Sequence, residues 1–346
     1  MRSLALVPSL LLSSAALADV PSVATDIPPV HGLVSMVMGD LGAPALLVEP
    51  GASPHGYALR PSQAAALQDA DAVFWIGHDL TPWLEAPLDN LATRAVVVEL
   101  LDAEGAVVHP FRVDAVFASA DHDDHGHDEH DEHDEHDEHD EHDEHDEHDE
   151  HDEHDLGAQG HDDHDMGHDG HDHDGTDPHA WLDPENAVVW LARIAETLAD
   201  LDPDNAGAYH ANAAAAQTEI AALGDETAAR LAPVSNRSFV VFHDAFQYFE
   251  YRFDLASAGA ISMSDASSPS AARIAEISNA VAEQGVVCVF SEPQFNPGLV
   301  ATIAGSAELN TGVIDPLGTP LELGATFYPA LIRSVADAVE LCLTEE

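Results

Sequence analysis

From residue 21 onward, short apolar runs alternate with longer stretches whose apolar residues recur at helical spacing. Pro21–Ile27, Ala45–Val48, Ala72–Ile76 and Ala95–Leu100 read as strands, and Val30–Leu41, Ser62–Asp69 and Pro82–Leu91 as the helices between them. Pro28-Pro29 falls where the first helix opens, a place where a missing backbone donor costs nothing. Strands alternating with helices predict a parallel sheet in an α/β domain. The pattern resumes at Pro178. Pro184–Leu198 carries a helical apolar stripe, and Asp202-Pro203 opens a helix that runs past Gly224 to about Leu231. At about 40 Å it is long enough to join two lobes as a strut. Phe239–Phe242 and Val286–Phe290 then read as strands, and Pro269–Glu283, Pro297–Ala304 and Pro329–Leu343 as helices. The predicted organisation is an N-terminal α/β lobe over 19–202, a linking helix over 203–232 and a C-terminal α/β lobe over 233–346.

One tract breaks the pattern. Nine consecutive Asp-Glu-His triplets fill Asp128–His154, and a looser His/Asp/Gly stretch continues to Asp174. With almost no apolar residues the tract cannot offset its ordering entropy, so 121–174 is expected to be a disordered loop within the first lobe. It holds 28 acidic residues, 17 of the 24 histidines, and no Lys or Arg. The chain's formal net charge is -55, and the remainder is strongly acidic even without this tract. Such a charge excludes a nucleic-acid partner, whose binding needs cations to displace counterions, and favours attraction of metal cations.

Residues 1–18 read as a signal peptide: Arg2, an apolar run over Leu4–Leu12, then Ala16-Leu17-Ala18 as a cleavage site. The apolar run is too short to span a membrane. Export places the chain in an oxidising compartment, where Cys288 and Cys342 read as a disulfide closing 54 residues, worth at most about 4 kcal/mol. A thiolate metal site is the weaker alternative, with only two thiols so far apart.

Seven histidines lie outside the tract. His31, His109 and His210 read as surface or capping residues, and His78 is ambiguous. His55 lies in a Gly-Ala-Ser-Pro-His turn, His179 in Asp-Pro-His-Ala-Trp-Leu-Asp-Pro, and His243 at the carboxyl end of a buried strand. Asp315, in Gly-Val-Ile-Asp-Pro-Leu-Gly, follows a short apolar run. Ligands of open α/β sheets gather at the carboxyl ends of strands, although a single histidine there is more often a capping or packing residue than a metal ligand.

Taken together, five stretches resemble the zinc-binding solute-binding proteins of bacterial ABC transporters, the ZnuA type. They are Gly51–Pro61 (GASPHGYALRP), Asp177–Pro184 (DPHAWLDP), Phe242–Phe249 (FHDAFQYF), Ser291–Phe295 (SEPQF) and Asp315–Gly318 (DPLG). The resemblance covers the whole chain after the signal peptide, and the acidic His-rich tract and the cysteine pair also fit it. It implies two α/β lobes with mainly parallel sheets, joined by a long rigid helix, with a metal cleft between them. It implies Zn²⁺ ligands at His55, His179 and His243, with Asp315 as the acidic fourth position, where family members vary and some use water or another carboxylate. Pro54 precedes His55, where some relatives carry an acidic residue. Glu292 is read as a supporting residue, not a ligand. Manganese-binding relatives have Glu at the third ligand position, so His243 argues for zinc, although imidazoles also suit copper.

The implied function is that of a monomeric, non-enzymatic periplasmic receptor that captures Zn²⁺ and delivers it to an inner-membrane ABC permease with its ATPase. The His-rich loop would serve as an auxiliary metal-binding segment. Two other classes compete. A zinc hydrolase would need a base, for which Asp244 is the only obvious candidate, and no His-Glu-x-x-His is present. A metal buffer or adhesin would work without a permease.

Overall fold

The computed structural model describes residues 20–112, 114, 116–117, 175–262, 269–295, 297–307 and 309–344. The expected signal peptide and the expected disordered tract 121–174 lie outside these residues. The first lobe runs β1 (Val23–Thr25), α1 (Pro28–Met38), β2 (Ala45–Leu46), α2 (Pro61–Asp69), β3 (Ala72–Trp75), α3 (Glu85–Leu91) and β4 (Val96–Glu99). Its four strands are all parallel, in the order β2-β1-β3-β4.

Two helices follow, α4 (Pro184–Leu201) and α5 (Ala206–Leu231). Asp183 caps α4 by accepting from the Glu185 amide, and Pro184 takes the first turn. The second lobe runs β5 (Phe239–His243), α6 (Gln247–Phe253), β6 (Ser257–Ser262), α7 (Ala271–Glu283), β7 (Cys288–Ser291), α8 (Pro297–Ala307), β8 (Asn310–Val313) and α9 (Phe327–Thr344). Its sheet is again fully parallel, in the order β6-β5-β7-β8, so both lobes share one topology. Among these elements α6, β6 and β8 depart from the sequence reading, which had no element there.

The helix α5 packs along α4 and also touches α1 and α9. One apolar core runs through this layer and takes side chains from both sheets, among them Phe74, Trp181, Trp190, Tyr209, Phe239, Tyr248, Phe290 and Tyr328. Two smaller cores lie apart from it, one around Val240 and Val289, the other around Val73 and Leu88. The Cys288–Cys342 disulfide ties β7 to α9.

Candidate metal centre

His243 is the last residue of β5, and Glu292 comes directly after β7, the strand beside it. In this sheet the strand order reverses between β5 and β7, which opens the crevice where open α/β sheets hold ligands. The Glu292 carboxylate accepts from His243 Nδ1 at 2.7 Å and from its backbone amide at 3.3 Å. Both residues are buried.

His179 sits on the segment that leads into α4. Asp177, two residues earlier, accepts from its backbone amide at 3.0 Å and from its Nδ1 at 2.7 Å. The segment is fixed from the second lobe. Tyr248 donates its hydroxyl to the Asp177 carbonyl at 2.7 Å, Trp181 Nε1 donates to the Pro316 carbonyl at 2.8 Å, and Tyr328 donates to the Trp181 carbonyl at 2.8 Å. His55 rides on the loop after β2. Trp83 Nε1 donates to the Pro54 carbonyl at 2.7 Å, Tyr57 packs on the Trp83 ring, and Glu49 and Arg60 pair across the loop's base.

These elements bring His55, His179 and His243 together, each with a ring nitrogen within 4.8 Å of the others. His179 and His243 are buried and His55 is half-buried. The carboxylates decide the tautomers. Asp177 and Glu292 accept only, so each Nδ1 carries the proton, and in the neutral rings each Nε2 presents a lone pair. The two Nε2 atoms face each other at 3.4 Å. Two lone pairs at that distance repel unless a cation lies between them. Nitrogens 2.0–2.1 Å from a tetrahedral ion stand about 3.3–3.4 Å apart. The hollow bounded by the triad with Trp181, Glu292, Gln294 and Phe295 has room for about one water-sized sphere, about 10 Å³. That suits an ion.

Burial raises the Asp177 carboxyl to about 6 and the Asp244 carboxyl to about 7, in each case against the pull of Arg112. Arg112 is itself half-buried, 2.7 Å from Glu250 and 3.6 Å from Asp244, with its guanidinium over the Phe117 ring.

Asp315 stands outside the triad. Its Oδ1 accepts from the amides of Leu317 and Gly318 at 3.0 Å each, and its Oδ2 from Thr319 at 2.7 Å, so its carboxylate closes a turn. Gly318 in that turn has φ +64°, and a Cβ there would lie 2.9 Å from Leu321 and Phe327. His31 departs from the surface role read for it: it is buried in α1 with its ring beside the Ser35 hydroxyl, and burial lowers its pKa. His109 stacks with Tyr248 and Tyr251, His210 is exposed on α5, and His78 lies 3.3 Å from Glu85 at the surface. The support that sequence reasoning passed over is Asp177. Its signal was the Asp-Pro-His spacing, which lets one carboxylate reach both the amide and the ring two residues on.

Two parallel-sheet lobes around a histidine triad with room for an ion define a metal-binding solute-binding protein of the two-lobed, helix-linked kind. The family described as ZnuA, zinc-uptake complex component A, periplasmic, matches residues 23–342, and the chain belongs to it. The high-affinity zinc uptake system protein ZnuA of Paracoccus denitrificans is 49% identical over 99% of this chain and 98% of its own length. That of Brucella suis is 45% identical over 93% and 92%. Among solved structures, a crystal structure of ZnuA shares the fold with a TM-score of 0.68 at 23% identity, covering 94% of this chain and all of that one. The laminin-binding protein of Streptococcus agalactiae, titled as having adhesin and metal-transporting activity, shares it with a TM-score of 0.65 at 24% identity, covering 94% and 100%.

Proposed function

We propose that the chain is a periplasmic zinc receptor that captures Zn²⁺ at His55, His179 and His243 and delivers it to an inner-membrane ABC permease. The observation that carries the reading is the pair of Nε2 atoms facing each other at 3.4 Å, with Asp177 and Glu292 fixing both lone pairs inward. Carboxylate-backed imidazoles are the usual way a protein holds a metal-ligating ring in one tautomer and orientation. Three imidazoles suit zinc better than manganese, which favours oxygen ligands. The relatives' names support both the cargo and the uptake role. The family's description supports the compartment, and no helix among the described residues is long and apolar enough to cross a membrane. We assign the lobes to 19–202 and 233–346 with 203–232 linking them, the working unit to a monomer, and auxiliary metal binding to the 121–174 tract.

Calorimetric zinc titration of the intact protein and of a form lacking 121–174 tests the cargo. Zinc-limited growth of a strain that has the permease but lacks its own receptor tests delivery. Zinc binding without restored growth would favour a buffer or adhesin. A loopless form that binds no zinc would end the reading.

A further inference from the structure

Gln294 lines the same hollow as the three histidines, and the zinc-receptor reading gives it no role. Its amide orientation is set by Asp315. That carboxylate, held by three backbone amides, can only accept, and Gln294 Nε2 reaches its Oδ1 at 3.5 Å. The other end of the amide, Oε1, is buried and meets no donor from the protein. A buried acceptor left in that state costs about 1–3 kcal/mol.

We propose that Gln294 Oε1 receives a hydrogen bond from a water on the fourth position of the bound ion, with Asp315 acting as the residue that positions Gln294. This rests on the zinc-receptor reading. Three imidazoles leave one position of a tetrahedral ion to fill, and a water there is a strong donor because the ion acidifies it. Direct ligation by the amide is disfavoured, since zinc takes imidazole, thiolate or carboxylate in proteins. On this view Asp315 influences the metal at one remove, through the orientation of an amide. A neutral acceptor in that place also leaves the loaded site's charge unchanged, unlike a fourth carboxylate.

The test uses the intact protein loaded with Zn²⁺ for affinity and with Co²⁺ for visible absorption as a function of pH. Water donates to an amide oxygen more strongly than hydroxide does, so Gln294 holds the water form. In Q294M, which keeps the length but loses the acceptor, the Co²⁺ spectral midpoint should fall by about 0.5–1 pH units. Zinc affinity should fall about tenfold, the lower end for a supporting hydrogen bond. D315A frees the amide to rotate and should move both readouts in the same direction, by less. A purely structural role would alter thermal stability without moving the spectral midpoint, and that result would overturn the proposal. So would an unchanged affinity and midpoint in Q294M, or a midpoint that rises. Wild-type protein that binds neither ion would overturn the zinc-receptor reading beneath it.

Discussion

The Glu292–His243 pair yields the sharpest quantitative expectation. Glu292 Oε1 faces His243 Nδ1 at 2.7 Å, on the far side of the ring from Nε2. On the proposed reading it acts on zinc through the ring, in two separable ways. Its negative charge makes the imidazole a better donor, and its fixed position aims Nε2 at the hollow. In Glu292→Gln the amide oxygen can still accept from Nδ1, so the tautomer survives and only the charge is lost. In Glu292→Leu the acceptor goes as well, leaving a buried N–H without a partner and a ring free to turn. Outer supports of this kind are worth about 10–100-fold in metal affinity. The charge-only variant belongs at the lower end, about 1.4 kcal/mol, and the full loss at the upper end, about 2.7 kcal/mol. Competition against a chromophoric zinc chelator at pH 7.5 reads both, with thermal melting of the zinc-free forms to separate folding from binding. Equal affinities for wild type, Glu292→Gln and Glu292→Leu would refute the reasoning. So would a Gln variant weaker than the Leu variant.

Further expectations follow from other parts of the molecule. A form lacking 121–174 should keep one tight zinc site, because all three converging histidines lie outside that tract, and a loopless protein losing its zinc on dialysis would contradict this. His243→Ala should weaken zinc binding by well over 100-fold, since it removes a proposed ligand and not merely its support, whereas His210→Ala, exposed on α5, should change nothing measurable by the same titration. Asp26 is fully buried, accepts from the amides of Ile27 and Ile76, and burial raises its carboxyl to about 7. A raised folded-state pKa contributes stability at low pH that is lost as pH climbs from about 4 through 7. Between pH 8 and pH 5, zinc-free wild type should therefore gain about 2–3 kcal/mol relative to Asp26→Asn in urea unfolding, and a pH-independent difference would show that Asp26 ionises normally.

How far the sequence revealed this molecule depended on how much each element announces itself. The apolar runs of β3 and β5 and the Pro-opened helices α1 and α4 were legible because period and punctuation agree there. α6 was not: Gln247–Phe253 is seven residues with four aromatics, too short to show a helical period. β6 reads Ser-Ala-Gly-Ala-Ile-Ser, and β8 Asn-Thr-Gly-Val, sequences with little strand preference that tertiary pairing beside β5 and β7 overrides. The histidine triad was reached through long matched motifs and not through spacing, since 188 residues separate His55 from His243. Asp315 shows the opposite limit. A strand-end aspartate before Pro looks the same in sequence whether it faces a metal or caps its own turn, and only the backbone path through Gly318 distinguishes the two.

The arrangement also says where an ion should leave. The two lobes share one continuous core along α1, α4, α5 and α9, so opening them as rigid halves would expose Trp181, Tyr248 and Tyr328 together. His179 and His243 are buried, and the His179 segment is pinned by three hydrogen bonds to the second lobe. His55 is half-buried on the loop after β2, which Trp83 and an exposed Glu49–Arg60 pair help to hold, and exposed ion pairs hold weakly. On the proposed reading His55 is expected to give way first, and the empty receptor should differ from the loaded one mainly in the loop 49–60. A permease can tell the two forms apart only through contacts that differ between them. His55→Ala should accordingly speed zinc loss to excess chelator while costing less affinity than His179→Ala or His243→Ala. Hydrogen exchange in 49–60 should rise on zinc removal while the α5 core stays protected. Uniform deprotection across both lobes, or a His55→Ala variant as weak as His243→Ala, would show that the ion leaves by domain opening instead.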